Sequence, residues 1–242
     1  MEKFFKSVGI SFFGIVLFSN LSFAKVSKID TNFDGKMDQW HHSAEKGEIF
    51  KIEYDTNFDG SVDQIEHFEG EKKLSKAEFD SNKDGQMDQI QYYSSTGKIE
   101  KVEKDTTFNG FFDLKEYFSE AEKIIRIEID KNGNKVTDVW QHFDEEQKLM
   151  RIEYDSDHNS KVDRWDYFRN EKLEKVGFDT NSDSKPDQWQ YFVGNNVLKK
   201  VESDSNYDGK TDQWDYFDAS GKLEKSEVDR NFDGKPDMVQ DQ

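Results

Sequence analysis

Asp204-Ser205-Asn206-Tyr207-Asp208-Gly209-Lys210-Thr211-Asp212 is followed by Gln213-Trp214-Asp215-Tyr216-Phe217, then Asp218-Ala219-Ser220-Gly221, then Lys222-Leu223-Glu224-Lys225-Ser226-Glu227-Val228. An acidic loop of the form D-x-N-x-D-G-x-x-D thus leads into an aromatic segment, a turn and a returning segment, and Asp229 starts the pattern again. Working outward, the same loop begins at Asp30, Asp55, Asp80, Asp105, Asp130, Asp155, Asp179, Asp204 and Asp229, at intervals of 25 residues with one of 24. Self-similarity at a fixed period marks a repeat architecture, in which each unit buries its apolar residues against its neighbours. The register is strict. Counting the first Asp as position 1, all five tryptophans (Trp40, Trp140, Trp165, Trp189, Trp214) stand at position 11, and Tyr or His stands at position 13 of the eight full repeats. The residue missing from the short interval falls in the turn at Arg169–Lys172, where a change of length costs least.

Sixteen residues separate one loop from the next, too few for the two helices of an EF-hand. Alternation points to strands. Ile125, Ile127 and Ile129 alternate with Arg126, Glu128 and Asp130, and Phe50-Lys51-Ile52-Glu53-Tyr54 does the same. With about four residues in the turn, two strands of about six remain, a usual length. The expected fold is all-β: a meander or solenoid of nine antiparallel β-hairpin repeats, roughly 85 Å long at about 4.8 Å per strand. A β-propeller is the alternative, but its blades would make successive hairpins differ, and here they carry one pattern.

The loops are candidate metal sites. Oxygen-bearing side chains at positions 1, 3, 5 and 9 can converge on one point, position 7 can add its carbonyl, and glycine at position 6 accepts a positive φ. The candidate ligands are Asp30, Asn32, Asp34 and Asp38; Asp55, Asn57, Asp59 and Asp63; Asp80, Asn82, Asp84 and Asp88; Asp204, Asn206, Asp208 and Asp212; and Asp229, Asn231, Asp233 and Asp237 in the five intact loops. Asp179, Asn181, Asp183 and Asp187 keep all four oxygens with Ser184 replacing glycine. The central loops offer Asp105, Asn109 and Asp113; Asp130, Asn132, Asn134 and Asp138; and Asp155, Asp157, Asn159 and Asp163. Asn at position 5 removes charge there and Lys135 adds the opposite one, so weaker or empty sites are expected, Asp157 offsetting part of the loss. The hard oxygen set favours calcium over magnesium, which wants a smaller octahedral shell, and over zinc, which prefers Cys and His. Asp, Asn and Gly are also ordinary turn residues. Yet a turn needs no aspartate at both positions 5 and 9, and six copies have one.

Composition fits this picture. Only 33% of the 242 residues are hydrophobic, mean hydropathy is −1.02, and cysteine is absent, so neither a large core nor disulfides can hold the chain. Residues 1–24 read as a Sec-type signal peptide: Lys3 and Lys6, the apolar run Val8–Phe18, then Ser22-Phe23-Ala24. No cysteine follows to make a lipoprotein, so the expected location is secreted, periplasmic or cell-surface, with residues 25–242 as one repeat domain and no membrane span after cleavage. Net charge is −18, and −19 without the leader, so nucleic acid and anionic membrane surfaces, which both demand positive patches, are poor partners. Nine divalent ions would bring +18 to loops holding 25 carboxylates. Calcium is therefore expected to order the hairpins, and the chain to be largely unfolded without it.

Asp30-Thr31-Asn32-Phe33-Asp34-Gly35 and its copies resemble the start of an EF-hand calcium loop, and the nine-residue form ending at Asp38 is closer to the loops of FG-GAP and thrombospondin type 3 repeats. The hairpin from Trp214 through Leu223 is similar to MORN-type repeats. The resemblance implies calcium ligation at the matching positions and repeat architecture. Without flanking helices or a steady Glu at position 12, it does not imply sensor-type switching.

Of the other features, the Trp–Tyr ladder and the Lys/Glu stripe (Lys51/Glu53, Lys76/Glu78, Lys225/Glu227) read as same-face packing and a solvated charged face. His42, His67 and His142 occupy the tyrosine slot. Repeated carboxylates lack the one distinctive arrangement that catalysis needs, so no enzyme is expected. The expected function is that of an exported calcium-binding repeat protein with a structural or adhesive surface role. The alternatives are a module presenting the aromatic ladder to a glycan or surface protein, and a hydrolase.

Overall fold

The computed structural model describes residues 25–70, 73–194 and 196–241, so the expected leader lies outside the described residues. The described chain is all strand and loop. In order the strands are β1 (Lys25–Ile29), β2 (Gln39–Ser43), β3 (Ile49–Tyr54), β4 (Gln64–Glu69), β5 (Lys73–Phe79), β6 (Gln89–Tyr93), β7 (Ile99–Lys104), β8 (Leu114–Phe118) and β9 (Ile124–Ile129). They continue as β10 (Val139–Phe143), β11 (Leu149–Tyr154), β12 (Arg164–Arg169), β13 (Lys172–Phe178), β14 (Gln188–Val193), β15 (Val197–Ser203), β16 (Gln213–Phe217), β17 (Leu223–Val228) and β18 (Met238–Asp241). Each pairs antiparallel with the next, from β1–β2 to β17–β18. The sheet is open, neither barrel nor propeller. Among the described residues only consecutive strands touch, so it is a single layer with solvent on both faces.

A single layer must draw its stability from cross-strand pairs. Register makes these repeat. On one face, position 11 lies beside position 24 (Trp140↔Glu153 and Trp140↔Glu128), and position 13 beside position 22 (Tyr117↔Arg126 and Tyr117↔Lys101). Two rows therefore cross the sheet: one of Trp, replaced by Ile65, Ile90 and Lys115 in the second to fourth repeats, alternating with Glu save at Gly177, and one of Tyr or His alternating with Lys or Arg. Each glutamate gathers two donors: Glu103 accepts from Tyr92 Oη at 2.8 Å and Lys101 Nζ at 3.0 Å, and Glu53 from His42 Nε2 at 2.7 Å and Lys51 Nζ at 2.6 Å. The Lys101 ammonium also sits 3.9 Å from the Tyr92 ring centre. Aromatic ladder and charged stripe are one interlocked structure.

The opposite face carries the small apolar core, Ala77, Val102, Val139 and Val176, all buried. Three of these come from position 23, flanked by residues such as Gln91 and Glu116. Asp166 is also buried there, held by Arg164 through Nε and Nη2 at 2.7 and 2.8 Å.

The far edge is closed by turns of three lengths, five residues between Ser43 and Ile49, three between Val193 and Val197, and two between Arg169 and Lys172. In 44–48 and its equivalents, a left-handed residue such as Gly47 donates back to Ala44 O. Between β12 and β13, Arg169 pairs with Lys172, and Asn170 and Glu171 both have positive φ, a two-residue turn that matches the twist of its strands. The residue missing from the short interval is missing there, as expected.

Candidate metal centre

The acidic loops line the other edge. Strand pairing closes each one: Asp38 N–H donates to Ile29 O, and Asp55 N–H to Asp38 O, both at 2.9 Å, with equivalents along the chain. Neighbouring loops are therefore two strands apart, about 9.6 Å.

Inside each loop the side chains fold over their own backbone. Position 1 accepts the N–H of position 6 in all nine loops, at 2.8 Å for Gly35 to Asp30 Oδ2 and 2.7 Å for Lys135 to Asp130 Oδ2. Position 3, save Thr107, accepts the N–H of position 5. Position 9 accepts the N–H of position 2 in every loop. Satisfying backbone donors in this way fixes side chains that would otherwise repel one another. Glycine at position 6 has φ near +90°, as expected, while Lys135, Ser160 and Ser184 take its place at 73°, 70° and 68°.

Burial concentrates here. Among the described residues eleven loop aspartates are buried, Asp55, Asp138, Asp155 and Asp229 among them, against four apolar residues. The molecule is thus best shielded where its carboxylates lie. Burial pushes the Asp105 carboxyl up, but the N–H groups of Gly110, Asn109, Thr107 and Phe108 outweigh it and hold it below its ordinary value. At Asp59, which is exposed, the Ser61 N–H is the main cause of a lowered value. Both stay ionised and ready to bind a cation.

Three acidic side chains converge at Asp155, Asp157 and Asp163, with one oxygen of each within 4.8 Å of the others, an arrangement that can hold a metal ion. These are positions 1, 3 and 9 of a loop whose sequence ranks it among the weaker. Asp157 makes the difference, since position 3 is an amide or Thr107 elsewhere. Among the described residues, no other loop brings three acidic groups this close. Position 5 helps explain this: Asp34, Asp59, Asp84, Asp183, Asp208 and Asp233 each turn one oxygen to the N–H of position 7, and Asn109, Asn134 and Asn159 make the same bond. In the first loop Asp38 adds a second sign of a cation site. Its residue is buried, Thr31 N–H and Oγ1 both donate to Oδ2, and buried Oδ1 has no partner. An orphaned buried carboxylate oxygen is costly unless something positive meets it.

Two contributors were missed in the sequence. Thr or Ser at position 2 donates its hydroxyl to the position 9 carboxylate in seven loops, and its frequency there was the available signal. His158 spans two loops: Nδ1 lies 2.8 Å from Asp138 Oδ1, and that contact raises the imidazole's pKa. No signal along the chain announces a contact between residues twenty apart in adjacent loops.

Neither a family model nor a curated protein matches the chain. Slight likenesses exist to solved structures. S. aureus TarM is 17% identical at a TM-score of 0.34, over 43% of this chain and 19% of that one. A TcdB2–TccC3–Cdc42 structure is 10% identical at 0.24, over 80% and 12%. A porin-like protein from Bacteroides uniformis is 9% identical at 0.25, over 90% and 92%. The chain spans less than a fifth of the first two. Likenesses this slight leave the loops to be read on their own geometry.

Proposed function

We propose that this is an exported calcium-binding repeat protein in which ions held along the loop edge brace a single-layer sheet for a structural or adhesive role at the cell surface. The observation that carries the reading is the convergence of Asp155, Asp157 and Asp163. The unpartnered Asp38 Oδ1 supports the same chemistry in a loop with the full motif. Position 1, 3 and 9 oxygens would provide the first ligands, with position 5 and the position 7 carbonyl completing a shell of the six to eight oxygens calcium takes. Calcium would supply countercharge, so that rows of aspartate cease to repel and the hairpin tips stiffen. Affinity is expected in the range of extracellular modules, about 10⁻⁴ to 10⁻³ M. The rows of Trp with Glu and Tyr with Lys support packing rather than ligand stacking as the role of the ladder. Calorimetric titration of calcium, with far-UV circular dichroism and proteolysis on the same protein in chelator, tests the reading. Heat and a gain of β signal are expected, and their absence at millimolar calcium would overturn it.

A further inference from the structure

The loop tips carry a feature that the sheet does not use and that, His158 apart, no carboxylate meets through a side chain. Position 4 has positive φ in all nine loops, from 55° at Phe108 to 74° at Gly133. Glycine, Asn or Asp suits that conformation, and a bulky side chain is disfavoured there. Five loops nevertheless place an aromatic residue there: Phe33, Phe58, Phe108, Tyr207 and Phe232. All five are exposed, from 45% at Phe232 to 89% at Phe33, so burial does not repay the strain. Two adjacent pairs, Phe33 with Phe58 and Tyr207 with Phe232, stand near the two ends of the sheet, the members of each about 9.6 Å apart. Beside several tips a lysine occupies position 7, as Lys36, Lys210 and Lys235 do.

We propose that the loop edge is a calcium-dependent docking surface for an anionic phospholipid membrane, with the position 4 aromatics entering the interface. The inference rests on the calcium reading above. Four of the five residues are Phe, and exposed Met37 and Phe111 lie beside them in the same loops. Rings without a polar handle suit the headgroup–acyl boundary better than they suit a sugar, which would need hydrogen bonds. Charge sets the condition. At −18 the bare chain is repelled by lipid phosphate. Once loop carboxylates are neutralised by bound cations, the position 7 lysines and the ions themselves face the phosphates. Several weak insertions along one sheet then reinforce one another.

The test uses the purified protein with vesicles of phosphatidylcholine alone or mixed with phosphatidylglycerol, sedimented in millimolar calcium or in chelator. A variant combining Phe33→Asn, Phe58→Asn and Phe108→Asn removes three rings while supplying a residue that accepts positive φ. Binding is expected only to phosphatidylglycerol vesicles in calcium, at least tenfold weaker in the variant, with its calorimetric calcium isotherm unchanged. Equal binding in chelator, equal binding to phosphatidylcholine alone, or an unimpaired variant would overturn the inference. Calcium heat without vesicle binding would overturn it and leave the calcium reading standing; no calcium heat would overturn both. Retention on a soluble acidic polysaccharide with none on vesicles would reassign the surface to a glycan.

Discussion

Gly60→Ala isolates the backbone contribution of position 6. Gly60 has φ of 97°, and a Cβ built there meets no atom within 4 Å, so the substitution introduces no clash and acts through φ alone. Holding an L residue in that region costs about 1–2 kcal/mol. Restricting the unfolded chain returns about 0.4–1 kcal/mol. The net expectation is a loss of about 1 kcal/mol. Ser184→Gly is the mirror experiment: Ser184 already sits at φ 68° and donates its N–H to Asp179 Oδ2, so glycine keeps the bond and removes the strain. A gain of about 0.5–1 kcal/mol is expected from the same terms with reversed sign. Urea unfolding at one saturating calcium concentration, held equal for every protein compared, reads both as shifts in midpoint at constant slope. If Gly60→Ala left the midpoint unchanged and Ser184→Gly lowered it, left-handed geometry would not be what position 6 requires, and the account of the loops would fail.

Asp59→Asn should leave the fold intact, because Asn109, Asn134 and Asn159 already make the same bond to the N–H of position 7, but should weaken calcium uptake at that loop; unchanged calorimetry would remove position 5 from the ligand set. Val102→Ala cuts into the small core and should cost about 1.5 kcal/mol at about 0.8 kcal/mol per buried carbon, read by urea unfolding. Tyr92 is pushed up to about 12 by burial and by its bond to Glu103. Its stabilising effect should be complete below the ordinary tyrosine pKa and lost as pH rises through the folded value, and Glu103→Gln should bring its ultraviolet titration lower. At Glu53 and Glu78 burial raises the pKa, but a Lys and a His beside each carboxylate outweigh it and hold the value low. Their contribution is present above the unfolded carboxylate range and fades as pH falls through the lower folded value; circular dichroism should show this edge of the sheet persisting to pH values below about 4.3, the ordinary Glu value.

The sequence by itself determined the repeat, the antiparallel hairpins, the place of the shortened turn and the nine acidic loops. Each is written in local chemistry: alternation sets strand faces, Gly and Asp mark turns, and a fixed period repeats one unit. Tertiary structure decided the rest. Alternation told that Trp214 and Tyr216 share a face, but only pairing placed Trp214 beside Glu227 and Tyr216 beside Lys225, because register depends on the turn and on a bulge at Tyr216/Phe217. Likewise, motif counting ranked the loop at Asp155 low, whereas folding over the backbone drew Asp157 towards Asp155 and Asp163 and turned position 5 to its own N–H partner. Side-chain direction in a loop follows from the φ of each residue and the N–H groups it leaves unpaired, and a list of residue types does not carry that information.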